Sequence, residues 1–268
     1  NLKNSSVLIY GENGCGKTNV LETISLLNQG KGLRKASIEN FLNQTEISNY
    51  DCQTWGVNAD FVGPKGKFNI GTGLKNYPSN KSRIAKINYD LTPLSSLGKI
   101  LNISWITPQM CILFQTSMNE KRRFIDRLTL SIDNLHLNRV YKYEKLLRQR
   151  KKILMQQNND NTWLDSVEFQ ISELSIAITA RRLDLIEELE NLYKTEFKNN
   201  SLTEHFPSAS IFINGKIERL LDKKPAVEVE DYVKSELKKS RFDFELSVSG
   251  PNNSSIEIFN RNNNKNLD

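Results

Sequence analysis

The sequence has few of the residues from which disulfide frameworks and zinc sites are built. It contains three cysteines, Cys15, Cys52 and Cys111, and two histidines, His136 and His205. An odd number of widely separated cysteines argues against a disulfide framework and favours a reducing compartment, which we take to be the cytoplasm. The spacing of cysteine and histidine also excludes the usual zinc-binding patterns.

Long apolar runs are missing as well. No stretch approaches the ~20 apolar residues that cross a bilayer, and no signal-peptide pattern is present, so we expect no membrane partner. The 268 residues are 38% hydrophobic and 25% charged, which is typical of a globular protein with one large domain or two small ones. The net charge of +6 is compatible with a polyanionic partner such as nucleic acid, and equally with an ordinary soluble surface.

The most specific local pattern is a phosphate-binding loop. Gly11, Gly16, Lys17 and Thr18 fit the motif G-x-x-x-x-G-K-[ST]. The glycines permit close backbone approaches, so that the loop N–H groups can form an anion-binding nest at the start of a helix. In such loops the lysine reaches the β- and γ-phosphates and the Thr18 hydroxyl takes one Mg²⁺ position. Cys15 occupies a variable position of the motif.

The residues around the loop support this interpretation. The apolar run Val7–Tyr10 precedes it, as a buried parallel strand would. Val20, Ile24 and Leu27 follow at helical spacing. A strand before the loop and a helix after it distinguish a phosphate loop from a glycine turn that matches by chance.

In the rest of the chain the sequence pattern changes from β-type to helical and back to β-type. Three β-type runs between 50 and 92, separated by turns, predict an antiparallel meander, and "LNISWITP" predicts a strand that ends at Pro108. Between 119 and 197 the pattern is helical, and the last two of three helices predict an antiparallel hairpin with an apolar seam. Beyond 205, "SASIFIN", "FDFELSVSG" and "SIEIFN" predict strands, with a helix at about 227–239.

ATP hydrolysis also requires an acidic pair after an apolar strand, and no such pair is visible. The nearest match, "LDLIEELE" at 183–190, lies within a predicted helix, where its carboxylates are expected to form a solvated face. "SVSGPN" is better explained as a turn at Gly250 and Pro251 than as an ABC-type signature loop. "NKNLD" at the end has one residue too many for the N-K-x-D motif of GTPases. No catalytic residue is therefore assigned.

Several segments resemble the RecF family of bacterial DNA replication and repair proteins. "YGENGCGKTNVLETISLL" resembles the family's phosphate loop and first helix, and "GKGLRKAS" the basic turn that follows. "WITPQMCILFQTSMNEKRRFIDRL" is similar to the segment that enters the family's helical lobe and is more specific than the loop. "YEKLLRQRKKIL" and "WLDSVEFQI" resemble the hairpin helices, and "VSGPNNSSIEIF" the Gly-Pro strand pair that precedes the signature loop.

The resemblance implies an α/β fold of the P-loop ABC/SMC-type ATPase head. Lobe I, with a mixed sheet, would span 1–107, a helical lobe II 108–205, and residues 206–268 would return to lobe I. The family's first strands would precede Asn1, and its signature loop and acidic strand would follow the Gly-Pro segment. We therefore expect an incomplete copy of the family's sequence, inactive by itself.

The resemblance also implies a set of site residues. ATP would lie between the phosphate loop of one head and the signature loop of another. Mg²⁺ would be held by Thr18 and Gln109; the alternative for Gln109 is a polar residue that follows a proline turn. Arg34 and Lys35 lie where such heads touch nucleotide or DNA, and Arg34 is included in the site. The nucleotide-binding residues are then Gly11, Glu12, Asn13, Gly14, Cys15, Gly16, Lys17, Thr18, Asn19 and Arg34.

A second candidate site is a basic run in the second helix of the helical region. It carries six basic side chains against Glu144, enough to neutralise several DNA phosphates; the alternative is the solvated outer face of a hairpin. The six residues are Lys142, Lys145, Arg148, Arg150, Lys151 and Lys152. By contrast, Arg122 and Arg123 are expected to pair with Asp126 on the surface of their helix.

For the whole protein the resemblance implies a weak DNA-dependent ATPase. It would clamp double-stranded or gapped DNA as an ATP-dependent homodimer during repair, with the recombination mediators of the RecFOR pathway as partners. Two alternatives remain: another SMC/ABC-type head, or a non-catalytic ATP-binding DNA scaffold. The hairpin of about 75 residues, at ~1.5 Å per helical residue, is short for the arm of a chromosome-structure ATPase.

Overall fold

The computed structural model describes eight parts of the chain, residues 6–34, 36–41, 53–63, 66–77, 82–155, 161–197, 208–241 and 249–261. The chain divides into two compact units, 1–106 and 107–268. The division lies one residue from the 107/108 boundary that the sequence predicted for the start of the helical lobe.

The first unit contains the predicted antiparallel meander. Its four strands pair in sequence order: β1 (Gln53–Gly63), β2 (Gly66–Tyr77), β3 (Arg83–Ile87) and β4 (Asp90–Thr92). The turn between β3 and β4 consists of Asn88 and Tyr89, both with positive φ (50° and 71°). Positive φ at both central residues matches the twist of the two strands in a tight hairpin.

One face of this sheet forms the core of the first unit. Strand alternation places Ile70 and Ala85 on the same side, where they pack with Leu97 of a 3₁₀ helix (Leu94–Lys99) and with Leu27. Leu27 lies just beyond helix α1 (Lys17–Ser25). The core thus anchors the C-terminal end of the helix that follows the phosphate loop.

Two strands predicted from the sequence are not present. Val7–Tyr10 forms no strand and pairs with none among the described residues, and the side chains of Leu8 and Tyr10 are 85% and 87% exposed. Residues 101–107 alternate between half-buried and exposed positions but likewise form no strand in the described parts of the chain. A strand becomes regular only when a neighbour satisfies its backbone groups, and neither segment has one in the described residues.

The second unit is built on the predicted helical hairpin. Its helices are α2 (Met118–Thr129), α3 (His136–Met155), α4 (Asn161–Leu192), α5 (Lys216–Leu221) and α6 (Ala226–Lys239). A 3₁₀ helix (Pro108–Gln115) precedes α2, and a π-helical turn (Tyr193–Phe197) continues α4. At about 1.5 Å per residue, α3 and α4 are about 30 Å and 48 Å long.

Apolar side chains at three- and four-residue spacing join these helices. Tyr143, Leu146 and Ile153 of α3 pack against α4, α5 and α6. A smaller cluster includes Ile125 of α2 and Leu185 of α4. The "LDLIEELE" segment lies within α4, with Glu187 and Glu188 exposed, so its acidic residues do not follow a strand.

Strands β5 (Ala209–Asn214) and β6 (Ser255–Asn260) form a two-stranded antiparallel sheet. They group with the helices of the second unit, whereas the sequence assigned 206–268 to lobe I; that assignment stays a prediction. Helix α5 was not predicted, and the expected strand at 242–250 lies mostly outside the described residues. Of the described helices, none combines the length and apolarity needed to cross a bilayer.

Candidate nucleotide-binding site

The loop before α1 has the backbone of an anion-binding turn. Gly11, Gly14 and Gly16 all have positive φ, at 155°, 88° and 92°. A side chain at Gly11 would also be crowded, because its Cβ would lie 3.0 Å from Cys15 Sγ. The backbone N–H of Cys15 donates to the carbonyl of Glu12 at 3.3 Å, which closes the turn. The backbone conformation at these three positions therefore favours glycine.

Helix α1 begins directly at the end of this loop. Gly16 is its N-cap residue and offers no side chain to the helix. Its carbonyl accepts the N–H groups of Asn19 and Val20, at 2.9 and 3.2 Å. The N–H groups of Lys17 and Thr18 belong to the first turn, where a helix supplies no carbonyl partner and presents its positive end. These backbone donors suit a phosphate group.

Lys17 folds back over the loop. Its Nζ donates to the carbonyls of Gly11 and Glu12, at 2.7 and 2.6 Å, and lies 3.9 Å from Cys15 Sγ. Hydrogen bonds to an anionic oxygen are roughly twice as strong as those between neutral groups, so an arriving phosphate can compete for this ammonium. The loop, the start of α1 and Lys17 therefore fit a triphosphate, which would supply the charge that these donors lack. The exposed Thr18 would contribute its hydroxyl to Mg²⁺.

The turn after α1 brings Arg34 back to the first turn of that helix, directly after the phosphate loop. The Arg34 backbone N–H donates to Glu22 Oε1 at 3.2 Å, and its Nε lies 3.6 Å from Glu22 Oε2. Its Nη1 donates to Asn19 Oδ1 at 3.4 Å. Arg34 thus lies beside Asn19, which directly follows the motif and is 15 positions earlier in the chain. The assignment of Arg34 to the nucleotide site stays a prediction.

Arg83 of β3 ties the sheet to the far end of α1. Its guanidinium donates to the carbonyls of Leu26, Asn28 and Gly30 and to Thr72 Oγ1 at 2.6 Å. Burial lowers the pKa of Arg83 to about 10, so it remains a cation at neutral pH. A cation at the negative end of a helix is stabilising, and this contact fixes the segment from which the Arg34 turn starts.

Two predicted residues cannot be placed as side chains. Gln109 lies in the 3₁₀ helix before α2, but its side chain is outside the described part of the structure, as is Lys35 entirely. Among the described residues, no group of three or more His, Cys, Asp or Glu side chains gathers as a metal site. The assignment of Gln109 to Mg²⁺ therefore stays a prediction.

The basic run of α3 divides into two faces. Lys142, Lys145, Arg148, Lys151 and Lys152 are exposed. Arg150 is only 2% exposed and lies on the opposite side of the helix, because 100° per residue separates it by about half a turn from Arg148 and Lys152. Its Nε donates to Glu168 Oε1 at 2.8 Å, and its Nη2 to the Leu237 carbonyl at 2.8 Å. Arg150 is thus a core residue and does not belong to the basic surface.

The pairing predicted for Asp126 is also wrong. Arg122 donates to the Ser254 carbonyl at 2.7 Å, and Arg123 pairs with Glu120 at 2.8 Å. Asp126 is buried and accepts two bonds from Arg182, at 2.8 and 2.9 Å. It is the helix face that decides this, since Asp126 points inward with Ile125 rather than toward solvent.

His136 and the Gly-Pro turn complete this buried junction. His136 Nε2 lies 2.7 Å from Asp126 Oδ1, and Arg182 Nη1 donates to the Pro251 carbonyl at 2.6 Å. Burial raises the pKa of Tyr143 to about 12, so its hydroxyl stays protonated and donates to Asn252 at 3.0 Å. The turn at Gly250 and Pro251, predicted from the sequence, is therefore held by side chains of α2, α3 and α4.

Comparison with known proteins identifies the family. No family model matches the chain. The DNA replication and repair protein RecF of Agrobacterium fabrum is 33% identical over 98% of this chain and 68% of its own length. The chain belongs to the RecF family. RecF of Mesorhizobium japonicum is 35% identical over 84% of this chain and 58% of its own length, so the chain spans between 58 and 68% of these two relatives.

Solved RecF structures agree with the fold. One is described as the recombination mediator protein RecF-ATPrS in the RecFOR pathway, with a TM-score of 0.72 over 93% of this chain and 66% of that chain at 19% identity. A second, RecF-ATP in the same pathway, gives 0.69 over 94% of this chain and 66% of that chain at 20% identity. The predicted α/β fold of a RecF-type ATPase head with a helical lobe is confirmed.

One residue beside the candidate site was not singled out from the sequence. Glu22 is the buried carboxylate that anchors the Arg34 turn. It lies on α1 between Leu21 and Thr23, where a charged residue is expected to be exposed rather than buried. The only local signal was a glycine pair followed by a basic residue ("GKGLR"), which predicts a turn but not the helix face that the turn covers.

Proposed function

We propose that this chain binds ATP at Gly11–Asn19 and forms part of a RecF-type mediator of DNA recombination. The observation that carries the proposal is the loop itself, in which three positive-φ glycines, the uncapped start of α1 and the Lys17 ammonium converge. The RecF relatives whose solved structures are described with ATP or ATPrS support the choice of ligand.

The finer features of the proposal concern the whole protein. Mg²⁺ would be held with the help of Thr18 and Gln109, and two heads would close on ATP as a homodimer. Slow, DNA-stimulated hydrolysis would then time the release of DNA, with other mediators of the RecFOR pathway as partners. Hydrolysis would also require an acidic pair after a strand, and no such pair occurs in the described parts of the chain.

The exposed face of α3 is the proposed DNA contact. Lys145, Arg148 and Lys152 follow one another at three- and four-residue spacing and therefore share one side of the helix. Of these, Arg148 lies 3.8 Å from Glu144, in an exposed pair that is worth little in water and can be exchanged for a phosphate. Lys142 and Lys151 flank this line.

We expect Lys17→Ala to weaken ATP binding roughly tenfold to a hundredfold, because a charged hydrogen-bond donor to phosphate contributes about 1.5–3 kcal/mol. Binding of a fluorescent ATP analogue, measured at equilibrium with Mg²⁺, provides the test. Lys86→Ala is the matched control, since it removes the same charge from an exposed position of β3 in the same unit. Equal binding by the parent and Lys17→Ala would refute the assignment of the site.

The DNA contact is tested by the triple variant Lys145→Ala, Arg148→Ala and Lys152→Ala. We expect weaker binding to duplex and gapped DNA, and a slope of log K against log salt that is shallower by up to about 3, since each lost phosphate contact removes ~0.9. The control removes three exposed lysines of the α5–α6 region, Lys224, Lys238 and Lys239. If both variants lower affinity equally, only net charge matters and the α3 surface is not the binding face.

The two alternative functions make different demands. Another SMC-type head would carry a long coiled-coil arm, but α4, the longer hairpin helix, is only about 48 Å long. A non-catalytic scaffold would bind ATP and DNA without turnover. Phosphate release by the full-length protein with DNA present separates the proposed ATPase from the scaffold. Release above that of its Lys17→Ala variant supports the ATPase.

A further inference from the structure

The contact between Glu22 and Arg34 is more than a surface ion pair. The side chain of Glu22 is 4% exposed, whereas that of Arg34 is 54% exposed. A buried carboxylate is costly unless a cation and hydrogen bonds compensate it. Of the described residues, Arg34 is the cation that lies within 4 Å of Glu22, so the buried charge holds the guanidinium at this place.

The backbone of the same turn is fixed independently. Leu33 N–H donates to Ser25 Oγ at 2.8 Å, one helical turn beyond Glu22. Gly32 has a φ of 73°, and a Cβ there would lie 3.0 Å from both Glu22 Oε1 and Leu26 Cδ2. The turn therefore packs on α1 through Gly32 with no room for a side chain, and Arg34 emerges at a defined position along the helix.

The guanidinium lies beside the first turn of α1, which directly follows the phosphate loop. Its Nε faces Glu22 and its Nη1 donates to Asn19 Oδ1. An arginine has five side-chain N–H donors; the Asn19 contact uses one of them, and the 3.6 Å approach of Nε to Glu22 Oε2 is an ion pair. The planar group is thus oriented while further donors remain for an anion at the loop.

We propose that Glu22 is a positioning residue for nucleotide binding, which acts by holding Arg34 beside the phosphate loop. The inference rests on the proposed binding of ATP at Gly11–Asn19. A carboxylate so close to a phosphate site would repel the ligand if it were not neutralised. Arg34 neutralises the charge of Glu22, and the remaining N–H donors of the guanidinium are left to bind the anion.

A double-mutant cycle tests the proposal. Glu22→Gln keeps an oxygen for the Arg34 backbone N–H but removes the charge that orients the guanidinium, and we expect about fivefold weaker ATP binding. Arg34→Ala should weaken binding by about tenfold, the scale of one charge-assisted hydrogen bond. The double variant should bind no more weakly than Arg34→Ala, because Glu22 then has nothing to position.

A merely structural role for Glu22 gives a different pattern. In that case Glu22→Gln would lower the melting temperature and weaken ATP binding by the same factor with or without Arg34. Additive effects of Glu22→Gln and Arg34→Ala on ATP binding would therefore overturn the inference. Ser25→Ala offers a second variant that loosens the same turn without a change of charge. It should weaken ATP binding by a smaller factor in the parent and by none in the Arg34→Ala background.

The outcomes also separate this inference from the function on which it rests. If ATP binding needs Lys17 but Glu22→Gln binds as well as the parent, the positioning role is wrong and the nucleotide site stands. If ATP binding is the same with and without Lys17, both are wrong. All variants are compared in the 268-residue chain at a temperature where circular dichroism shows them equally folded.

Discussion

Asp126→Asn is expected to lower the free energy of unfolding by about 3–5 kcal/mol at neutral pH. Asp126 is 4% exposed and accepts hydrogen bonds from Arg182, which is itself 3% exposed, and from His136, which is fully buried. Removal of the carboxylate leaves a buried guanidinium without an anion, which costs this amount in other buried pairs. Domains of this kind are stable by only 5–15 kcal/mol in total.

The loss should depend on pH in a defined direction. Burial alone would raise the pKa of Asp126, but the hydrogen bond from His136 and the charge of Arg182 outweigh it, so the pKa lies below the ordinary value of 3.8. A carboxyl with a lowered folded-state pKa contributes its full stability above the unfolded pKa and loses it as pH falls through the folded one. The difference in the free energy of unfolding between the parent and Asp126→Asn should therefore become smaller below about pH 4.

Urea unfolding between pH 3 and pH 7 measures both effects. The control is Asp184→Asn on α4, whose exposed pair with Arg181 at 2.8 Å should contribute at most about 0.5 kcal/mol. Parallel loss of stability in the parent and Asp126→Asn below pH 4 would contradict the assignment, because another carboxyl would then dominate acid unfolding.

The elements governed by local rules were predictable from the sequence. The glycines of the loop and the Lys17 position follow from one motif, and the meander follows from alternation and turn residues. Val7–Tyr10 has the composition of a buried strand, yet composition does not supply the neighbouring strand that makes it regular. Its exposure in the structure shows that burial is a property of partners and not of the run itself.

The side-chain partners were the least predictable part. Asp126 was assigned to Arg122 and Arg123 by the helical neighbour rule, but its partner Arg182 is 56 residues away. Long-range pairs depend on how helices pack, which a single sequence does not specify. The burial of Arg150 was predictable, because its spacing from Leu146 and Ile153 places it on the apolar side of α3. Its charge alone suggested an exposed position.

Glu168→Gln is the second change with a large expected effect, again about 3–5 kcal/mol in the free energy of unfolding. Glu168 is 2% exposed and accepts from Arg150 at 2.8 Å and from Arg241 at 3.0 Å. Arg150 also caps the end of α6 through the Leu237 carbonyl and Ser240 Oγ. Without the carboxylate, Arg150 stays buried against neutral acceptors only, and the contact between α3, α4 and α6 weakens.

Three further variants separate this structural role from DNA binding. Glu144→Gln, which removes the exposed partner of Arg148, should change stability by less than about 0.5 kcal/mol. Arg150→Met combined with Glu168→Leu should recover most of the loss, because apolar pairs can replace buried ion pairs. Arg150→Met alone should lower stability yet leave the salt dependence of DNA affinity unchanged in the folded fraction. A shallower salt slope with unchanged stability would instead return Arg150 to the DNA-binding surface and contradict its buried position.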